Sequence, residues 1–197
     1  MNKLMGFYEL KELLLPSIKW NEYTPSVVLN ENSLWTIRSA VNRGDDLNLP
    51  RLVGKSAQEA KVFADDLYRQ LAGKGMVIYY PYFIAHKSGT LNVFYDKTVI
   101  EAVNSNLWNM VTNHELDTSL VFSNEFVLQN YYGKKDFITA QEINKLKIYA
   151  QKIRSAFREE ILEGKSILLE WSIASDCDIQ HKEMGEEYLI FYEIRSV

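Results

Sequence analysis

Leu34-Trp35-Thr36-Ile37-Arg38-Ser39-Ala40 is the stretch that decides the fold, because an apolar run ends there in an arginine and a serine. Such a run predicts a buried strand that carries one cation and one hydroxyl at its tip. Two further strands are predicted near the C-terminus. They contain Leu169-Glu170-Trp171 and Tyr192-Glu193-Ile194-Arg195-Ser196-Val197.

Arginine and carboxylate side chains at the ends of these strands have complementary chemistry. A guanidinium group binds phosphate oxygens, and carboxylate oxygens are ligands for Mg²⁺. If the strand ends meet, an arginine and two carboxylates form a place that can hold a nucleotide triphosphate with its Mg²⁺.

The composition excludes several classes of protein. The chain has 197 residues, of which 47% are hydrophobic and 13% aromatic, so a real core is expected, in one domain or in two small lobes that share a cleft. The formal net charge is −4 without a block of like charges, which argues against nonspecific nucleic-acid binding. Cys177 is the single cysteine and cannot form an internal disulfide, so a reducing, cytoplasmic location is predicted.

The sequence also predicts a protein without a membrane partner. Residues 1–16 contain leucines but also Glu9, Lys11 and Glu12, and they lack a small-residue cleavage site, so they do not predict a signal peptide. No apolar run approaches the roughly 20 residues that a membrane-spanning helix needs. We therefore expect a soluble chain.

Local patterns predict a single α+β unit over residues 1–197, with a lobe boundary near residue 75. Ser56, with Glu59 three residues later, predicts a capping box at a helix start, and Thr139 or Gln141 is predicted to begin the longest helix. Residues 42–55, rich in glycine, aspartate and proline, predict a loop. The predicted helices cover residues 7–15, 56–71 and 139–162, and the predicted strands cover residues 33–38, 76–82, 89–95, 98–103, 120–122, 126–129, 165–173 and 187–194.

Short motifs in the same order resemble a known family over roughly residues 34–197. Thr36-Ile37-Arg38-Ser39-Ala40 is similar to the Val-Arg-Ser-Ser motif in the nucleotide-binding domain of phosphoenolpyruvate synthases, pyruvate phosphate dikinases and rifampicin phosphotransferases. Leu169-Glu170-Trp171 resembles that family's Ile-Glu-Trp strand at its metal site. The other similar segments are Asp45-Asp46-Leu47 with Pro50, Ser88-Gly89-Thr90-Leu91, Val99-Ile100-Glu101-Ala102-Val103, and residues 190–197.

The resemblance implies the ATP-grasp architecture, in which two small lobes of mainly antiparallel sheet with packing helices hold ATP between them. It implies ATP and Mg²⁺ as cofactors, and Mg²⁺-dependent phosphate transfer from the nucleotide to an acceptor that the sequence does not identify. Carried over by position, the implied catalytic residues are Arg38 and Arg195, the implied cofactor contacts are Arg38, Ser39, Lys87, Glu101 and Arg195, and the implied metal ligands are Glu170 and Glu193.

The sequence departs from the family in ways that leave catalysis open. Leu168 occupies the position of the usual metal-binding aspartate, and Gly6 occupies that of the N-terminal lysine, for which Lys3 is the nearby substitute. The family's phosphohistidine and substrate domains are not in this sequence, so a complete synthase or dikinase is not expected. The alternative is a non-catalytic binding or oligomerisation module of the same fold, in which a partner protein or a second copy could complete the site.

Structural alternatives remain for the individual residues. Arg38 could form an ion pair with Asp45 or Asp46, and Glu170 could face solvent, since alternation places it on the sheet face opposite Leu169 and Trp171. His86 and His114 lack a neighbouring nucleophile signature, so the sequence does not predict a hydrolytic triad. A third hypothesis is an unrelated α+β domain that shares these motifs by chance.

Overall fold

The computed structural model describes residues 1, 3–43, 49–107 and 116–197, and these form an α+β fold of two antiparallel sheets and four helices. The smaller sheet contains β1 (Asn21–Glu22), β2 (Trp35–Val41), β3 (Arg51–Lys55) and β4 (Gly75–Pro81), in the order β1-β4-β2-β3. The larger sheet has the order β10-β9-β5-β6-β7-β8. Its strands are β5 (Phe83–Val93), β6 (Lys97–Asn104), β7 (Thr118–Ser123), β8 (Leu128–Gly133), β9 (Ile167–Cys177) and β10 (Glu183–Ser196).

The helices cover the faces of the sheets that carry alternating apolar side chains. They are α1 (Lys3–Glu12), α2 (Ala57–Gln70), α3 (Ala140–Ala156) and the short α4 (Arg158–Leu162). The predicted capping box of Ser56 and Glu59 is confirmed at the start of α2, and Thr139 with Glu142 forms a second one at the start of α3. Each box satisfies backbone N–H groups that the first helical turn leaves unpaired.

The two faces of the smaller sheet pack against different partners. Ile37 and Val77 face α2 in one buried cluster. Ala40, Ile78 and Tyr80 face the other way and pack with Phe7 of α1 in a second cluster. This second cluster includes side chains of β5 and β10, so it joins the two sheets.

The larger sheet has its main core on one face only. There Leu169 and Trp171 of β9 pack with the apolar stripe of α3, which includes Leu146 and Ile153. Ile148, which the sequence also places in that stripe, is 56% exposed, because the helical repeat turns it away from the sheet. The opposite face of this sheet carries the polar side chains of the predicted site.

Two predictions about the elements are corrected by the structure. Residues 51–55 of the predicted loop form β3, because they pair with the edge of β2. The predicted last helix is interrupted at Phe157, which ends α3 and precedes α4. The chain leaves the smaller sheet at Pro81 and enters the larger one at Phe83, and the lobe boundary near residue 75 stays a prediction.

None of the helices in the described part of the chain is both long enough and apolar enough to cross a membrane.

Candidate functional site

A row of polar side chains crosses four strands of the larger sheet. Glu193 of β10 pairs with Glu170 of β9, Glu170 pairs with Thr90 of β5, and Thr90 pairs with Glu101 of β6. Directly paired residues project from the same face of a sheet, so this row lies on the face opposite Trp171 and α3. A register shift between Phe191 and Glu193 in β10 places Glu193 directly opposite Glu170, on the same face of the sheet.

Arg38 of β2 reaches this row from the smaller sheet. Its Nη2 donates a hydrogen bond to Glu193 Oε2 at 2.5 Å, and its Nη1 donates one to the backbone oxygen of Tyr192 at 3.3 Å. Arg38 is only 8% exposed, and the ring of Phe7 lies 5.4 Å from its guanidinium carbon. Burial alone lowers the pKa of Arg38, but Tyr80, Glu193 and Glu170 more than offset it and raise the pKa above its usual value. The guanidinium is therefore charged at every pH at which the protein is folded.

Two further cations surround the same carboxylate. Lys3 Nζ of α1 lies 3.7 Å from Glu193 Oε1, and Arg195 Nη1 lies 4.0 Å from the same atom. Glu193 is 3% exposed, so Arg38, Lys3 and Arg195 enclose a buried carboxylate. We call these four residues and Glu170 the Glu193 cluster.

The pKa of Glu170 is raised well above the ordinary value of a glutamate. Burial raises the pKa of its carboxyl, and the charge of Glu193 raises it further. Arg38, Arg195 and Lys3 act in the opposite direction, and the pKa of Glu170 comes to about 7. Glu170 can therefore hold a proton near neutral pH, and a cation placed beside it would displace that proton.

The raised pKa of Glu170 predicts a pH-dependent stability. The folded state holds a proton between the ordinary value of 4.5 and about 7 that the unfolded chain releases, so the free energy of unfolding falls as pH rises through this window. We expect Glu170→Gln to match the wild type at pH 4.5 and to be more stable than it by about 2 kcal/mol at pH 8. Urea titrations at both pH values measure this, and Glu186→Gln, on the exposed part of β10, is the matched control. An equal difference at both pH values would contradict the assignment.

The carboxylates of the cluster fit Mg²⁺ only together with ligand oxygens. No group of three or more acidic, histidine or cysteine side chains suited to a metal occurs among the described residues. Mg²⁺ is commonly held by one or two carboxylates plus substrate phosphates, and Glu170 is half-buried on the open sheet face. Glu193 is already bound by Arg38 at 2.5 Å, which leaves Glu170 as the better candidate ligand. Leu168 lies on the same face as Glu170, so an apolar side chain occupies the place of the family's aspartate.

The structure does not bring every predicted residue to this place. Ser39 projects from the opposite face of β2, where its hydroxyl donates to the backbone oxygen of Pro50 at 2.9 Å. Lys87 lies on the core side of the larger sheet, and its Nζ binds both carboxylate oxygens of Glu142 at 2.9 Å. Glu101 is in the polar row, two strands from Glu170, and accepts a hydrogen bond from Thr90 at 3.0 Å.

Gly89 has a structural role in the larger sheet. Gly89 lies in the middle of β5, between β6 and β9. A Cβ at Gly89 would lie 1.9 Å from the backbone oxygen of Glu101 and 2.6 Å from the ring of Trp171. Glycine is therefore needed for close packing of the strands.

The sequence suggested that Arg38 could form an ion pair with Asp45 or Asp46. Arg38 is in a buried ion pair, but its partner is Glu193, which is 155 residues away in the sequence. Asp45 and Asp46, like His114, lie outside the described residues. Tyr80 and Tyr192 lie next to Arg38, and no local pattern in the sequence predicts these contacts because both residues belong to apolar strand segments.

A second polar group lies at the other end of the larger sheet. His86 Nε2 is 2.8 Å from Ser175 Oγ, and His86 Nδ1 is 3.8 Å from Glu183 Oε1. The order of these atoms is that of a catalytic triad, but Ser175 is 3% exposed, so a substrate carbonyl has no approach to its hydroxyl. This group supplies no nucleophile.

No model of a known protein family matches the sequence, and no curated protein matches it. Among solved structures, the chain is similar to the macrocyclase MdnC from Microcystis aeruginosa MRC, bound with precursor peptide MdnA. The sequence identity is 10%, the TM-score is 0.49, and the match covers 98% of this chain and 51% of the macrocyclase chain. This chain thus spans about half the length of that protein, and the likeness is too low to decide a fold family or an activity.

Proposed function

We propose that the Glu193 cluster binds the phosphates of a nucleoside triphosphate together with Mg²⁺. The observation that supports this is the convergence of Lys3, Arg38 and Arg195 on one buried carboxylate, each within 4.0 Å of it. These side chains come from α1, β2 and β10, so the convergence is a product of the fold. Three cations around one carboxylate leave an excess of positive charge that a polyanion can neutralise.

The role of each side chain in the proposed site is assigned from how exposed that side chain is. Arg195 keeps about a third of its side chain exposed, and it and Lys3 would contact phosphate oxygens. Arg38 is buried and fully engaged with Glu193 and Tyr192, so we assign it as a positioning residue that fixes Glu193 and the surrounding charges. Glu170 would bind Mg²⁺ between the protein and the phosphates.

The ATP-grasp architecture and the relation to phosphoenolpyruvate synthases belong to this proposal. Two antiparallel sheets with a charged cluster where they meet agree with such an arrangement, and ATP is the nucleotide that the resemblance implies. Any phosphate transfer would depend on positioning and charge neutralisation, because the cluster contains no serine, threonine, cysteine or histidine. The acceptor and the cytoplasmic location stay predictions.

Titration with Mg-ATP, monitored by thermal unfolding, tests the proposal. At roughly 100 times its Kd, a ligand that binds only the folded state adds about 2.7 kcal/mol, or roughly 5–10 °C in Tm for a chain of this size. We expect this rise for wild type, a much smaller one for Arg195→Ala, and loss of the Mg²⁺ dependence for Glu170→Gln. Arg69→Ala, an exposed arginine on α2, is the matched control and should respond as wild type.

No rise in Tm at millimolar Mg-ATP would rule out nucleotide binding at physiological concentration. An equal rise for wild type, Arg195→Ala and Glu170→Gln would show binding elsewhere on the molecule. Release of ADP from ATP, with and without candidate acceptors, then separates binding from phosphate transfer.

The second candidate function is a non-catalytic binding or oligomerisation module. It is favoured by the closed Arg38–Glu193 pair and by Leu168, which removes a carboxylate next to Glu170. In that case Arg195→Ala and Glu170→Gln should leave every ligand affinity unchanged while the fold is retained.

A further inference from the structure

One edge of the larger sheet is open in the described part of the chain. β8 pairs with β7 on one side, and no described strand pairs with its other side. The Lys134 amide donates to Asp117 O of the chain leading into β7 at 2.7 Å, and Tyr132 O accepts from Thr118 Oγ1 of β7. Because successive residues of a strand direct their backbone groups to opposite sides, those of Tyr131 point away from the sheet.

This edge differs from two other sheet edges, because β8 has a register shift at Gln129 but carries no charged side chain. β3 carries Arg51 and Lys55, and the outer edge of β10 is met at Phe191, whose amide donates to Pro16 O at 2.8 Å. β8 consists of the uncharged residues Leu128-Gln129-Asn130-Tyr131-Tyr132-Gly133. Val127, Leu128 and Tyr132 beside this edge are 49% to 65% exposed. An uncharged edge with exposed apolar side chains is a template for another strand.

The charges at the two ends of β8 indicate which strand fits. Glu125 precedes the strand, Lys135 follows it, and both are exposed. An antiparallel two-fold pairing of two β8 strands brings the Glu125 end of each copy next to the Lys135 end of the other. These two residues lie in the turns that flank β8, and their exposed side chains have opposite charges.

We propose that β8 is the interface of a two-fold dimer, in which the β8 strands of two copies pair antiparallel into one continuous sheet. The recognition chemistry is the backbone of a second copy, with the antiparallel orientation favoured by the opposite charges of Glu125 and Lys135 at the two ends of β8. This inference is independent of nucleotide binding, because β8 lies at the opposite edge of the sheet from β10.

Reciprocal charge reversal tests the dimer. Sedimentation or light scattering at up to about 100 μM should show a dimer of the wild type if its Kd is micromolar. Glu125→Lys places two like-charge pairs in its homodimer, and so does Lys135→Glu, so each should dimerise about tenfold more weakly. An equimolar mixture of these two variants contains only opposite-charge pairs across its interface and should form a heterodimer with at least wild-type affinity.

Lys145→Glu, an exposed lysine of α3, has the same charge change as Lys135→Glu and should dimerise as wild type. Circular dichroism of each variant checks that the fold is retained. A wild type that is monomeric at every concentration overturns the proposal. So does a dimer whose Kd is unchanged by both single reversals, because its interface would then lie elsewhere.

Discussion

Glu193→Gln is expected to lower the free energy of unfolding by about 3 kcal/mol or more, which corresponds to a fall of about 10 °C in Tm. The change removes the charge that neutralises Arg38, whose guanidinium is 8% exposed and bound to Glu193 at 2.5 Å. Lys3 and Arg195 lose the same counter-ion, so the cluster keeps three cations and only the partly protonated Glu170. Denaturant titration at pH 7 measures the loss.

The matched control for this variant is Glu186→Gln, which makes the same substitution on the exposed part of β10 and should cost within about 0.5 kcal/mol. The double variant Arg38→Met, Glu193→Gln separates charge from packing. Replacing both members of a buried pair avoids an unpaired charge, so the double variant should be more stable than Glu193→Gln alone. Strictly additive losses would show that the ion pair does not set the stability of the cluster.

Gly6→Ala is expected to detach or displace α1, with a loss of about 3 kcal/mol. A Cβ at Gly6 would lie 2.0 Å from the backbone oxygen of Ile194, which cannot move without disturbing β10. In an isolated helix, alanine is about 1 kcal/mol more favourable than glycine. The sign of the change in the free energy of unfolding therefore tells whether helix propensity or packing dominates. Packing should dominate, because α1 buries Phe7 and Leu10 to 1% exposure and carries Lys3 to Glu193.

Hydrogen exchange of α1 together with thermal unfolding measures this effect, and Glu12→Ala provides the control. Glu12 is exposed at the end of the same helix, so the alanine there gains helix propensity without a clash. Faster exchange in α1 and a lower Tm for Gly6→Ala alone are the expected results. A Gly6→Ala protein as stable as the wild type would mean that α1 does not lie against β10 as described.

Local patterns in the sequence predicted much of the secondary structure. Alternating apolar residues around Ile37 and Leu169 predicted β2 and β9, and the capping residues Ser56 and Thr139 predicted the starts of two helices. These features depend on residues that are close together in the sequence, so propensity and periodicity are sufficient to predict them. β3 was missed because an edge strand is stabilised mainly by its pairing with another strand, here β2.

In the candidate site, too, some features could be predicted from the sequence and others could not. The sequence singled out Arg38, Glu170, Glu193 and Arg195 as chemically notable, and the structure places them in one cluster. Ser39 follows Arg38 directly in β2, so the alternation of a strand already places it on the opposite face. The sequence could not predict the face of Lys87, because that depends on the bulge beside His86 in β5.

The sequence by itself determined most of the helices and strands and the charged residues that the fold brings together. Only the tertiary structure decided that Arg38 pairs with Glu193, that α1 delivers Lys3 to the same carboxylate, and that Gly6 allows that helix to approach β10. These contacts join residues that are far apart in the chain, and a shift of one residue in strand register would turn each side chain to the opposite face. Register is set by long-range packing and bulges, which no short stretch of the sequence contains.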